Sequence, residues 1–353
     1  MKKKRFYYAL AIALMSLNCT SCGLIPDDEE EVFKNGDLIS GMGYYMNGWV
    51  YNPISDNTVE LKGFFQNDSE IMQITSATIP QQVEIDKKQY TVTKIGEHAF
   101  GGITIKTVTL PNTVTIIARE AFVGCRELTS LNIPTSLTTI EENAFSDCQK
   151  LTSLTFPNGL TSIGRSAFAN CQGLTSITLP ESLTSLGEFA FIGCSSVISL
   201  TILSKNLNLN QHLFDNNSLL STLTIHCKTI GNYIFSQLPN LANVNLGEGV
   251  ESIGEGAFQG SSITAITFPS TLKTIDNYAF SECKGLTQVT IPANVTNMGE
   301  NVFSGCSSLS FATIPNSVAT IGDWAFCLCR SLSTVTIPNS VTSIGEDAFS
   351  GCI

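Results

Sequence analysis

The chain has 353 residues, 43% of them hydrophobic and only 14% charged, with a formal net charge of −11. Lys2, Lys3, Lys4 and Arg5 contribute +4 at the very start, so the remainder carries −15. That acidic excess, with no basic patch anywhere, excludes nucleic acid and anionic lipid surfaces as partners.

After the four basic residues, an apolar run from Phe6 to Leu17 completes a secretory signal over residues 1–21, too short to span a bilayer. Cys19 and Cys22 close it. Cys22 is the expected lipidated residue because small Ser21 precedes it, although Cys19 stands three before it where leucine is usual. A cleaved signal without lipid is the alternative. Residues 22–36 hold Asp27-Asp28-Glu29-Glu30-Glu31, a polar acidic run that reads as a flexible tether, and a lipid anchor is then the sole link to a membrane. The acidic run resembles the surface-export signal of some Gram-negative lipoproteins; a solvated spacer is the competing reading. Residues 37–93, with Tyr44, Tyr45, Trp49, Tyr51, Phe64 and Phe65 and alternating runs such as Gln89-Tyr-Thr-Val92, are expected to form an N-terminal β cap.

From residue 94 onward the chain repeats. Twelve phenylalanines (100, 122, 145, 168, 191, 214, 235, 258, 280, 303, 326 and 349) are spaced 21 to 23 residues apart, the mark of a solenoid. A clear copy runs Ala144-Phe145-Ser-Asp-Cys148-Gln-Lys-Leu151-Thr-Ser-Leu154-Thr-Phe156-Pro157-Asn-Gly-Leu160-Thr-Ser-Ile163-Gly164. Its Leu-x-x-Leu-x-Phe portion alternates as a half-buried strand does, and the proline ends that strand. A second apolar pair (Leu160, Ile163) follows, then a Gly-x-x-Ala-Phe bend compatible with one helical turn. One coil offers about six large apolar side chains at roughly 1.5–3 kcal/mol each. Ordering it costs on the order of 1–2 kcal/mol per residue for backbone alone. Coils therefore fold only as a stack.

These residues resemble the BspA-type leucine-rich repeat of bacterial surface proteins. The pattern Ala-Phe-x-x-Cys-x-x-Leu-Thr-Ser-Leu-Thr-Ile-Pro-x-Ser-Leu-Thr-Ser-Ile-Gly-x-x-Ala-Phe recurs from Ile95 to the C-terminus, nearly three quarters of the chain. The resemblance implies a leucine-rich-repeat solenoid, β-rich with short helical turns, of about twelve coils. It implies adhesion to host matrix proteins or other bacteria, at the outer membrane or cell surface of a Gram-negative bacterium. The weakest stretch is Leu203–Gly247, which lacks both the cysteine three after each phenylalanine and the proline, and less regular coils are expected there. The sequence stops at Cys352-Ile353 in mid-repeat, leaving Leu332, Val335, Ile337, Val341 and Ile344 in a last coil that reads as truncated.

Eight of twelve cysteines sit three residues after an anchor phenylalanine, and parallel side chains at such a bend read as buried free thiols. His98, His212 and His226 are scattered and Cys327-Leu-Cys329 is isolated, so no metal or cofactor is expected. No catalytic motif occurs: no Gly-x-Ser-x-Gly, no His-Glu-x-x-His, no phosphate loop.

Three ladders are candidate surfaces. Three before each anchor, Glu97, Arg119, Glu142, Arg165 and Glu188 alternate in sign and should stack as ion pairs, while Glu300, Asp323 and Glu346 are like charges. Two before it, Phe189, His212, Tyr233, Tyr278 and Trp324 form a possible exposed aromatic stripe, with rings lying flat on neighbouring coils as the structural alternative. The strand face carries hydroxyls, among them Thr152, Thr155, Thr175 and Thr178, and is the default ligand surface of a curved repeat protein. The function expected is non-catalytic binding of a host or bacterial surface macromolecule, protein rather than glycan, with a carbohydrate-binding lipoprotein using the aromatic stripe as the alternative.

Overall fold

The structure, a computed structural model, describes residues 38–39, 43–46, 48–64, 74–209 and 212–353. The expected signal, Cys22, the tether, Phe65 and Gln211 lie outside the described residues.

Most repeats contribute two short parallel strands to two columns, although residues 152–156 form no front strand. The front column holds strands of two to four residues, such as Ser199–Ile202, in which Leu200 and Ile202 point inward and Ser199 and Thr201 outward. The back column holds two-residue strands such as Thr139–Ile140 and Ser162–Ile163, paired in register with the turns before and after. Between the columns the twelve anchor phenylalanines pile face to face. Ring centroids are 4.6 Å apart at Phe100–Phe122 and 5.8 Å apart at Phe191–Phe214, with planes between 1° and 21° of parallel. Near-parallel rings at that separation are slipped, the arrangement their quadrupoles favour. Twelve anchors bound eleven complete turns.

Seven strands precede and begin the stack: β1 Leu38–Ile39, β2 Gly43–Met46, β3 Trp49–Pro53, β4 Thr58–Phe64, β5 Ser76–Thr78, β6 Gln82–Ile85 and β7 Lys88–Ile95. In-register pairing extends N-terminal of residue 94, because β5 pairs parallel with the front strand Thr107–Thr109 and β4 pairs parallel with β7 in the back column. β1 to β4 form an antiparallel meander. The Trp49 ring lies 5.2 Å from Phe100 and continues the aromatic column by one member.

The expected helical turn does not form; among the described residues there is no helix. At the corner around each anchor, hydrogen-bond donors alternate. His98, Phe100 and Gly102 donate to carbonyls of the next turn, while Ala99, Gly101 and Ile103 donate three residues back within their own turn. A helix would commit every N–H internally, so the inter-turn ladder forbids it. The alternation needs left-handed backbone two residues before and two after each anchor: φ is 53° at Asn143, 60° at Asp147, 50° at Ser166 and 59° at Asn170, and this pattern recurs in every turn.

Leu203–Gly247 also departs from expectation. The front sheet is at its most continuous there, with four-residue strands paired in register from Ser176–Leu179 to Asn243–Leu246. The cause is the missing proline. Leu203, His226 and Gly247 stand in its place, and their N–H groups donate to Leu179, Ile202 and Ile225 of the preceding turn at 3.0, 2.9 and 2.8 Å. Proline cannot make that bond. The break is in the back column, where among the described residues an isolated bridge between Asn208 and Thr229 is all that precedes the regular strand Thr229–Ile230.

Candidate binding surfaces

The corner places one small polar side chain per turn against a carbonyl. Cys148 Sγ donates to Phe122 O at 3.2 Å, Cys171 to Phe145 O at 3.1 Å, and Cys306 to Phe280 O at 3.2 Å, always the anchor of the preceding turn. Burial pushes the thiols of Cys125 and Cys194 up to about 12, and those of Cys148, Cys171 and Cys306 well above their ordinary range. All ten described cysteines are free. Such thiols are protonated, hydrogen-bonded and unreactive, so this column is structural.

The charge ladder forms only in part. Arg119 pairs with Glu97, but the Arg165 guanidinium lies 5.5 Å over the Phe189 ring instead of between two acids. Farther along, the same position accepts backbone hydrogen bonds: Asn277 Oδ1 takes the N–H of Glu300 at 2.9 Å, and Asp323 Oδ1 that of Glu346 at 2.8 Å. Among the described residues no group of three or more metal-ligating side chains converges.

The aromatic stripe occupies the left-handed position before each anchor. Phe189, Tyr233, Tyr278 and Trp324 have φ between 51° and 59°, an unfavourable region for bulky side chains. Intramolecular contacts hold several of the rings there. Phe189 is half-buried and stacks with His212 at 5.6 Å and 24°, and His212 Nδ1 is 2.6 Å from Asp215 Oδ2. The Tyr233 hydroxyl donates to the Glu255 carboxylate, which raises its pKa to about 12. Its ring lies over Gly256, where an added Cβ would run into it. Tyr278 and Trp324 are half-buried. The structure brings Phe189 and His212 together; Gly256 and Asn301 interrupt the row before Tyr278 and Trp324.

The front face is different. Thr152, Thr155, Thr175 and Thr178 are all exposed, and Thr178 stands in register with Thr201, Thr224, Asn245 and Thr267 across the five-stranded sheet. The parallel row is Ser176, Ser199, Thr222, Asn243 and Ala265. Followed through eleven successive turns, from Thr107 and Thr109 to Thr334 and Thr336, these two outward rows contain no Asp, Glu, Lys, Arg or His. Two features break the hydroxyl pattern. A shallow depression of about 190 Å³ lies over Thr222, Asn243 and Asn245, where Ala242 and Ala265 leave room. Phe311 takes an outward place between Gln288 and Thr334 and is 50% exposed. Sequence reasoning passed over Phe311, though counting 23 residues from Gln288 lands on it.

Two parallel strand columns closed around one aromatic core make this a leucine-rich-repeat solenoid. The description of the BspA type leucine rich repeat region matches residues 65–172, 93–221, 138–246 and 228–353 in six copies, and the chain belongs to that family. A leucine-rich repeat protein from Bacteroides ovatus is 28% identical, with a TM-score of 0.56 over 88% of this chain and 92% of its own. A leucine rich cell surface protein from Faecalibacterium prausnitzii is 24% identical, with a TM-score of 0.37 over 86% and 97%. The pneumococcal vaccine antigen PcpA is 21% identical, with a TM-score of 0.46 over 89% and 94%. No curated protein matches the chain.

Proposed function

We propose that this chain is an exported, lipid-anchored binding protein of a bacterial surface that recognises a host or bacterial macromolecule, without catalysis, through the front face of its solenoid. The observation that carries this reading is the front face itself: a long, exposed array of hydroxyl and amide side chains carried on three in-register sheets. Membership of a repeat family supports it, since stacked repeats create extended surfaces suited to many weak contacts. The basic-apolar leader and Cys22 support export and anchoring at the outer membrane or cell surface in this reading.

The full chain should bind immobilised matrix proteins or bacterial surface preparations, and Thr178→Arg with Thr224→Arg should weaken that binding while leaving the melting curve unchanged. Binding indifferent to these changes would remove the front face from the reading. Cys22→Ala should abolish labelling by a fatty-acid analogue; persistent labelling would move the anchor to Cys19. Recognition of carbohydrate by the aromatic stripe is less well supported, because Phe189 and Tyr233 are engaged by Arg165, His212 and Glu255.

A further inference from the structure

We infer that the front face binds an uncharged, extended polysaccharide laid along the solenoid axis, with Phe311 as its stacking anchor and the depression beside Ala265 as a second point of seating. This rests on the front-face reading above and adds the chemistry of the ligand and its position.

Charge comes first. The chain carries 49 acidic and basic side chains, yet both outward rows exclude them over eleven turns. A partner with charged groups would meet nothing complementary along these two rows, Lys106 at one end of the neighbouring row aside, and would leave its own charges desolvated. A neutral ligand rich in hydroxyls meets Ser, Thr, Asn and Gln side chains able to donate and accept in any direction. Repeat length comes second. Parallel strands advance by about 4.8 Å, close to the advance of one sugar in an extended pyranose chain. Successive sugars can then meet successive turns in equivalent ways.

Phe311 supplies what hydroxyls alone lack. Its ring is half exposed and makes no ring or cation contact among the described residues, unlike Phe189 or Tyr233. Flanked by Gln288 and Thr334, and beside Thr290, Thr313 and Thr336, it presents an apolar plane within reach of hydrogen-bonding groups. The apolar face of a pyranose fits such a plane. Ala265 lies two turns before Phe311, so a chain seated in the depression reaches the ring about two sugars later.

The test uses the full chain and a panel of neutral hexasaccharides (cello-, xylo- and mannohexaose), with binding read by calorimetry. At least one should bind, with affinity unchanged between roughly 0.1 and 1 M salt. Phe311→Ala and, separately, Thr290→Glu should each weaken it by about tenfold or more, whereas Trp324→Ala should leave it unchanged; melting curves of all variants should match. Failure of every sugar, with immobilised matrix protein still bound through the front face, would overturn the glycan assignment and leave the front-face reading standing. Sugar binding that survives Phe311→Ala, or that fails with Trp324→Ala, would overturn the location.

Discussion

Turns built around Phe145 and Phe168 and those built around Phe214 and Phe235 meet one requirement with different side chains. In the first pair, each anchor carbonyl receives a thiol from the following turn: Cys171 reaches Phe145 and Cys194 reaches Phe168. At the corresponding place after Phe235 stands Leu238, which has nothing to donate to Phe214. Asn217 compensates. Its Nδ2 donates to Phe191 O in the turn before at 3.0 Å and to Phe214 O in its own turn at 2.7 Å. Ser261 then resumes the ordinary pattern, donating to Phe235 O at 2.9 Å. The repeat therefore specifies a buried donor rather than a cysteine, and an amide with two hydrogens can cover for a neighbour that has none.

The comparison can be broken at several points, beginning with the largest effect. Phe168→Ala should destabilise by about 3–5 kcal/mol. Phe214→Ala should cost less, since the rings on both sides of Phe214 stand 5.8 Å away against 5.1 and 5.2 Å for Phe168. Urea titrations decide, and equal losses would mean that ring spacing does not measure packing. Asn217→Leu takes the side-chain donor from Phe214 O and leaves Phe191 O only the Cys194 N–H, and should cost about 1–3 kcal/mol, against about 0.5–1.5 kcal/mol for Cys171→Ala. Adding Leu238→Cys to Asn217→Cys should recover most of the loss; no recovery would refute the shared-donor account. Gly256→Ala should cost about 1–2 kcal/mol from its left-handed backbone, plus a clash that Tyr233→Ala relieves, measured as thermal shifts of the single and double variants.

The smallest effect is at the first strands, where charge replaces small donors. Glu60 is buried, which pushes its carboxyl up, but Lys62, Lys94 and the Asn52 amide outweigh burial and hold it below the usual carboxylate range. A carboxyl depressed in the folded state stabilises above its unfolded pKa, and that contribution disappears as pH falls through the folded value. Hydrogen-exchange protection of Thr58–Phe64 should thus decline in acid, and Glu60→Gln should flatten the decline. A pH profile identical in both proteins would remove Glu60 from the account.

The period of 21 to 23 residues and the alternation of Leu200 and Ile202 were enough to read the two-strand turn, because both patterns follow directly from what must be buried. The corner was harder. Gly102, Gly124, Gly193, Gly260, Gly305 and Gly351 mark one left-handed site in half of the turns, but Phe189, Tyr233, Tyr278 and Trp324 conceal the other, since bulky residues rarely adopt that backbone. The Gly-x-x-Ala-Phe segment consequently resembled a helical turn. The candidate surface was legible as hydroxyl ladders at Thr175 and Thr178; which aromatic rings are engaged depends on partners such as Arg165 and Glu255 one turn away, information that a period alone does not carry.

Most turns keep one cysteine sealed against water, and a sealed thiol reacts only when its own turn opens. Alkylation rates at Cys125, Cys148, Cys171, Cys194, Cys283 and Cys306 would therefore act as a row of clocks, each timing the breathing of one rung and together showing from which end the rod frays.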